Sequence, residues 1–309
     1  MKVLTSLSSL PLLRNPIVTL GTYDGVHTGH RAILTQLINK AKDTGKDSML
    51  ITFDPHPRQA LGLGEISLLS TLDEKIELLS QTGLDYLLVL PFTKEFSNQR
   101  ARDFISNVLI EQLNISEIIL GYDHKFGHNR EGDVQLLAEV LTKTNRFVTE
   151  IPAQDVDEII VSSTKIRTAL IQGEVESANR LLGYKYQVKG KVVTGKQLGR
   201  SIGFPTANIE PMSDSKLIPG NGVYAVKTCI DGITYQGMMN IGIRPTVSNS
   251  NHRVIEVHLF DFNSDIYGET VTISLWHRLR GEQTFSGIEE LTKQLKKDEV
   301  DSRRYFASL

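Results

Sequence analysis

The feature that most constrains this chain is an alternation. From residue 16 to about residue 183, short apolar runs take turns with segments of helical period. "PIVTLG" (16–21), "SMLITFD" (48–54), "DYLLVLPF" (85–92), "ISEIILGYD" (115–123) and "RFVTEIP" (146–152) read as strands. Helical spacing recurs near 30–43, 72–82, 100–113 and 133–144. Such alternation predicts a parallel sheet wrapped by helices. Ligands of these sheets bind beyond the carboxyl ends of the strands, where the strand order reverses. From about residue 186 the texture changes. "YQVKGKVVTG", "GVYAVKTCIDGITYQGMMNIG", "HRVIEVHLFD" and "ETVTISLWHRL" are strand-like, and Asp231-Gly232 between two such runs signals a tight hairpin. One helical pattern, "SGIEELTKQLKK", follows. The expectation is an α/β domain over 1–183, then a small antiparallel β-barrel with a terminal helix over 184–309. The border falls at "LLGYKY".

Composition narrows the function classes. At 309 residues, 40% hydrophobic and 23% charged, the chain suits an ordinary globular protein. A net charge of −2 leaves no basic footprint for general nucleic-acid binding. The single cysteine, Cys229, excludes an internal disulfide framework. No apolar run is long enough to span a membrane. "MKVLTSLSSLPLLRNP" lacks a compact apolar region with a small-residue cleavage site, so no signal peptide is expected. A cytoplasmic protein is the expectation, with neither membrane nor nucleic acid as partner. Oligomeric state is not legible.

Chemistry-bearing residues cluster at the predicted strand ends. In "GTYDGVHTGH" (21–30), His27 and His30 enter a helix directly after a strand and two glycines. A helix entrance offers free N–H groups and a favourable dipole to an anion, so two imidazoles there suggest a phosphate site. A plain N-cap with surface histidines is the alternative. In "VSSTKIRTAL" (161–170), Ser162, Ser163 and Thr164 open a second helix. Arg167 lies one turn beyond Ser163 on the same face. Hydroxyls, N–H groups and a guanidinium suit a polyphosphate; a well-capped helix with a surface Arg would read the same way. In the second half, "GKVVTGKQ" (190–197) nearly matches a phosphate-binding P-loop, but Gln197 replaces the metal-binding hydroxyl and no helix follows. In "HRVIEVHLFD", Ile255, Val257 and Leu259 share one face, and Val254, Glu256, His258 and Phe260 share the other. Glu256 is either a site carboxylate or a solvated strand residue.

The early "GTYDGVHTGH" turn and the late "SSTKIR" turn resemble the HxGH nucleotidylyltransferases. "TFDPHP" and "GYDHKFGHNREGD" narrow the likeness to the prokaryotic bifunctional riboflavin kinase/FAD synthetase family. "LGRSIGFPTANIE", "MMNIGIRPTV" and "RLRGEQTF" extend it over essentially the whole chain. The resemblance implies a Rossmann-like FMN adenylyltransferase domain followed by a riboflavin kinase barrel. Each would use ATP and Mg2+, and riboflavin, FMN and FAD would be substrates and products. It implies that His27, His30 and Arg167 serve adenylyl transfer. ATP would also be met by Gly21, Tyr23, Asp24, Gly25, Asp123, Ser162, Ser163 and Thr164. In the barrel it implies ATP contacts from Gly195, Gly199 and Arg200, metal donors Thr206 and Asn208, and Glu256 as general base. Flavin contacts are implied for Asp54, Pro55, His56 and Pro57, and for Asn240, Arg244, Arg280, Glu282 and Phe285. Thr206 and Asn208 are oxygen donors two apart, able to face one side of an extended segment, and neutral oxygens suit Mg2+. The family often has Phe at Tyr23 and His124, and an acidic residue at Gly281. A one-activity enzyme with the barrel as scaffold, a non-catalytic flavin binder, and an HxGH transferase for another substrate are the alternatives. None of His27, His30, Arg167, Thr206, Asn208 and Glu256 is lost, and the barrel half argues against the last alternative.

Overall fold

The computed structural model describes residues 1–122, 124–153, 155–156, 159–195, 199, 202–244 and 252–309. It divides into two compact units, Met1–Ser163 and Thr164–Leu309.

The first unit is built on a six-stranded parallel sheet. Its strands are β1 (Lys2–Leu4), β2 (Ile17–Leu20), β3 (Ser48–Asp54), β4 (Tyr86–Pro91), β5 (Glu117–Gly121) and β6 (Phe147–Ile151), in the order β1-β4-β3-β2-β5-β6. All five expected strands are present. The sixth strand, β1, has three residues, mostly exposed, and carries too little apolar signal to read as a strand from sequence. Helices α1 (Thr28–Asp43), α2 (Pro57–Ala60), α3 (Leu72–Ser80), α4 (Lys94–Ser97), α5 (Ala101–Asp103) and α6 (Val134–Leu141) lie between strands. α5 runs into a π-helical stretch, Phe104–Gln112.

Alternation along the strands explains the two layers of core. Ile17, Leu50 and Leu87 pack on Leu34, Leu37 and Leu79 of α1 and α3. Val18, Met49 and Leu88 pack on Ile105, Leu109 and Leu137 from the other side. With both faces covered, the strands are near-continuous apolar runs, and all four residues of β2, Thr19 included, are buried. The sheet grows from β2 toward β3 on one side and toward β5 on the other. The strand order therefore reverses at the carboxyl end of β2, where the histidine turn begins.

The two-residue strands β7 (Asp155–Val156) and β8 (Ile159–Ile160) pair before α7 (Ser163–Ile171), which leads to α8 (Val175–Leu182). The second unit is a closed antiparallel barrel. Its strands are β9 (Gln187–Val193), β10 (Ala207–Pro211), β11 (Gly222–Ile230), β12 (Ile233–Arg244), β13 (His252–Leu259) and β14 (Thr270–Arg280), ordered β10-β13-β12-β11-β14-β9. Asp231 (φ 50°) and Gly232 (φ 79°) form the β11–β12 turn, and two consecutive positive φ values match the twist of a hairpin. Tyr224, Met239, Ile255 and Val257 are at most 3% exposed and alternate with the half-buried Glu256 and Asn240. They fill the barrel interior. α8 is fixed by Asn179, whose amide donates to the Leu275 carbonyl (3.0 Å) and accepts from the Tyr186 N–H (2.7 Å). The C-terminal helix, α9 (Ile288–Ala307), packs on β11, β12 and β14.

Candidate active sites

The first site grows from a strained turn. Tyr23 (φ 48°), Gly25 (φ 81°) and Val26 (φ 38°) all adopt left-handed backbone. For a β-branched residue such as Val26 this is an outlier, and it persists only where the surroundings over-determine it. They do so here. Val26 is fully buried in the core. The Asp24 carboxylate accepts from Leu69 N–H (3.1 Å) and Ser70 N–H (3.0 Å), and Gly25 N–H donates to Ser70 Oγ (2.9 Å). Ser163 Oγ donates to the Asp24 carbonyl (3.0 Å).

This turn presents the two histidines. His27 is the N-cap of α1, its Nδ1 accepting from His30 N–H (3.3 Å). An accepting Nδ1 leaves the ring proton of the neutral imidazole on Nε2. The His30 ring stacks on His27 (centroids 3.6 Å apart) and on Tyr23 (4.4 Å). Among the described residues, His30 Nδ1 is sealed from solvent without a hydrogen-bond partner. Burial, followed by the nearby His27 and Lys75, holds His30 well below the usual histidine range, so it is neutral at physiological pH. Gly29 carries no side chain for a reason of space: a Cβ there would sit 3.3 Å from the His27 ring. The Tyr23 hydroxyl shares a 3.0 Å hydrogen bond with Thr19 Oγ1 inside the core, and burial pushes its pKa up.

Beside the turn lies a cavity of about 860 Å³. Its lining takes in Gly21, Tyr23, His30, His56 and Pro57. Phe53, Phe92, Phe96, Phe104, Phe126 and His124 also line it, with neighbouring ring centroids 5.4–6.1 Å apart. A wall of such rings offers a planar apolar ligand stacking and edge contacts.

The second site grows from strand register. Asn208 of β10 pairs with Glu256 of β13, and Glu256 pairs with Asn240 of β12. Directly opposed residues share a face, so two amides flank the carboxylate in one row. A Cβ on Gly195 would overlap the Asn208 amide. Two residues along β13, His258 Nδ1 donates to the Pro205 carbonyl (2.7 Å), tying down the "PTAN" turn. Asn208 thus stands beside the Glu256 carboxylate, and Thr206 lies two residues before Asn208; neutral oxygens with a carboxylate are a donor set that suits a hard cation keeping phosphate and water ligands.

The comparisons assign both halves. A family model described as FAD synthetase matches residues 11–165, and one described as riboflavin kinase matches 182–306. The bifunctional riboflavin kinase/FMN adenylyltransferase of Listeria monocytogenes is 40% identical over 96% of this chain and 94% of its own. That of Escherichia coli is 35% identical over 94% and 92%. A crystal structure titled macrolide-efflux protein, from Streptococcus pneumoniae, superposes with a TM-score of 0.89 at 30% identity, covering 97% of this chain and 98% of its own. The chain belongs to the bifunctional riboflavin kinase/FMN adenylyltransferase family.

Within this riboflavin kinase/FMN adenylyltransferase frame, the expected site residues fall into distinct settings. Asp24 and Gly25 are buried behind the cavity as braces of the turn. Asp54 and Pro55 are exposed and are not part of the cavity lining. His56 caps α2, its Nδ1 accepting from Arg58 N–H. Ser162, Ser163 and Thr164 stand at the start of α7, and half-buried Arg167 lies one turn on, within the second unit. Gly199 is half-buried, and a Cβ there would lie 3.5 Å from Thr206 Oγ1. Arg280 is committed to α9, paired with Asp298 at 2.8 Å, and its guanidinium lies over Phe285 (5.7 Å). Glu282 accepts from Asn221 Nδ2 (3.0 Å) and Ile243 N–H (3.3 Å). A Cβ on Gly281 would meet nothing within 4 Å, so the acidic side chain common there in the family would have room. Asp123, Arg200 and the side chain of Arg244 lie outside the described residues.

Sequence reasoning missed the phenylalanine wall and Lys75. The wall had one available signal: Phe53 and Phe92 sit at the carboxyl ends of adjacent strands β3 and β4, where the strand-end rule places ligands.

Proposed function

We infer that this chain makes FMN and then FAD: the barrel phosphorylates riboflavin, and the α/β unit adenylylates FMN, each with ATP. The observation that carries this reading is the match of both family models, one over each half. The division of labour runs at 183/184, so that the "SSTKIR" helix serves the adenylyltransferase.

At the histidine turn, an FMN phosphate oxygen attacks the α-phosphorus of ATP. The new P–O bond forms as the bond to the β-phosphate bridging oxygen breaks, and pyrophosphate leaves. The attacking phosphate is already anionic, so the site needs positioning and charge stabilisation rather than a strong base. His27 and His30 donate toward the phosphates from the α1 entrance. Ser162, Ser163, Thr164 and Arg167 hold the β- and γ-phosphates, and Asp123 lies in the segment that meets ATP. Gly21, Tyr23, Asp24 and Gly25 shape the turn. The phenylalanine wall with His56 and Pro57 takes the flavin ring, a reading supported by the cavity they share.

At the barrel, Glu256 accepts the proton of the terminal ribityl hydroxyl as that oxygen attacks the γ-phosphorus and ADP leaves. Thr206 and Asn208 would hold Mg2+, whose charge offsets that of the phosphates when it is bound. Gly195, Gly199 and Arg200 cover ATP. Asn240, Arg280, Glu282 and Phe285 meet the flavin, Arg280 also anchoring their segment to α9, and Arg244, whose side chain lies outside the described residues, is assigned to the flavin by the resemblance alone. A cytoplasmic location belongs to the same reading, because both reactions draw on ATP.

The test is a time course with riboflavin, ATP and Mg2+, the flavins being separated by chromatography. FMN should rise first and FAD follow. FAD from supplied FMN, without FMN from riboflavin, would reduce the barrel to a scaffold. Neither product would overturn the enzyme reading.

A further inference from the structure

Lys75 is a charged side chain in an unexpected place. It lies in the first turn of α3, a helix whose capping box joins Thr71 and Glu74. A lysine there ordinarily points into water, yet Lys75 is 6% exposed. Its Nζ donates to the Thr22 carbonyl (2.7 Å) and lies 3.5 Å from Thr52 Oγ1. Both acceptors are neutral. Among the described residues no carboxylate is in hydrogen-bond contact with this ammonium, and burying one so is costly. Burial pulls the Lys75 pKa down, while Asp24 and Asp54 partly restore it. The Asp24 carboxylate is itself engaged with the Leu69 and Ser70 N–H groups.

The position of this ammonium gives it a use. Thr22 opens the strained turn whose Tyr23 and Val26 carry positive φ. Asp24 ties the far side of the same turn to the residues just before α3. α3 and the residues leading into it therefore grip the turn twice, by the Asp24 bonds to Leu69 and Ser70 and by the Lys75 ammonium. After burial and the neighbouring His27, Lys75 is also a cause of the low His30 pKa. A fixed cation beneath an anion site, shielded from water, stabilises developing negative charge without reorganising during the reaction. It also opposes a second proton on His30.

We propose that Lys75 is an electrostatic positioning residue for adenylyl transfer: through the Thr22 carbonyl it fixes the histidine turn, and its buried charge supports the phosphates. The proposal rests on the reading of the histidine turn as the adenylyl-transfer site. Lys75 acts from behind the turn and is not assigned contact with substrate.

The experiment uses the full chain carrying Lys75→Met, with His30→Ala as the comparison. Lys75→Met should lower kcat for FAD formation from FMN roughly 10–100-fold, with a smaller change in KM for ATP. FMN formation from riboflavin, at the other unit, should persist and reports that the chain is folded. The His30 imidazole titration, followed by NMR, should move upward in Lys75→Met. A purely packing role would leave it in place. An FAD kcat within about twofold of wild type, or an unmoved His30 titration, overturns the proposal. Should Lys75→Met fail to fold, the wild-type protein supplies the test. Pyrophosphate should shift the ε-ammonium resonance of Lys75, and a resonance unmoved at saturation overturns the proposal. If His30→Ala retains FAD formation, the site assignment falls and this inference with it.

Discussion

Tyr23 shows how a residue can enter the histidine turn without meeting the reacting phosphates through its hydroxyl. The ring stacks on His30 while the hydroxyl is spent on Thr19 inside the core. Tyr23→Phe keeps the stack and leaves the Thr19 hydroxyl, 1% exposed, without that partner. We expect a loss of about 1 kcal/mol in urea unfolding and FAD formation close to wild type. His30 carries the pH dependence. Its folded-state pKa lies below the ordinary 6.5, so below that pH the unfolded chain takes up a proton that the folded chain refuses. The stability His30 contributes is complete above about pH 6.5 and is lost as pH falls toward its folded pKa, at no more than about 1.4 kcal/mol per pH unit. Urea midpoints at pH 7.5, 6.5 and 5.5 should therefore fall more steeply for wild type than for His30→Gln. Parallel curves would show that His30 is not excluded from protonation.

At the scale of elements, the clearest joint is α9 on the barrel. Asp298 is 2% exposed and receives two donors of Arg280 (2.8–3.1 Å) and the Gln294 amide (2.8 Å). Removing one partner of a buried pair strands a charge, at about 3–5 kcal/mol. Arg280→Ala should therefore lower the Tm of the second unit and abolish FMN formation, while FAD formation from supplied FMN continues. The double change Arg280→Met/Asp298→Leu should regain most of the lost stability, because an apolar pair strands no charge. Nothing in "RLRGEQTF" announced this pairing, since an arginine at a strand end reads equally as a ligand contact. The strands themselves were legible because β2–β5 are buried on both faces and need apolar runs, whereas the short β1 has none to show. Glu256, Asn208 and Asn240 could each be singled out by residue type. Their alignment in one row is a matter of register, which no local spacing encodes. Lys75 was hidden for the opposite reason. Its neighbours Asp73, Glu74 and Glu77 give α3 the pattern of a solvated helix face, and only the fold turns this lysine inward.

At the scale of the molecule, each unit carries its own apolar core. Two layers sandwich the parallel sheet of the first unit. In the second, a packed barrel interior is joined by a cluster of Phe204, Val223, Met238 and Phe260 against Leu295 of α9. Each proposed site is likewise assembled around its own nucleophile-positioning groups, His27 and His30 in one and Glu256 in the other. Besides the ATP that both consume, the reactions share FMN, the product of the barrel and the substrate of the sheet. If that is the whole of their coupling, the two activities need not reside in the same polypeptide copy. His30→Ala should accumulate FMN from riboflavin and make no FAD. Glu256→Ala should make FAD from FMN and nothing from riboflavin. An equimolar mixture of the two variants, given riboflavin, ATP and Mg2+, should recover FAD after a lag in which free FMN builds up. The lag should shorten when FMN is added at the start. A mixture that accumulates FMN without converting it, although the Glu256→Ala protein alone converts added FMN, would mean that FMN made by the barrel is withheld from other copies. The two sites would then be coupled by more than their shared intermediate.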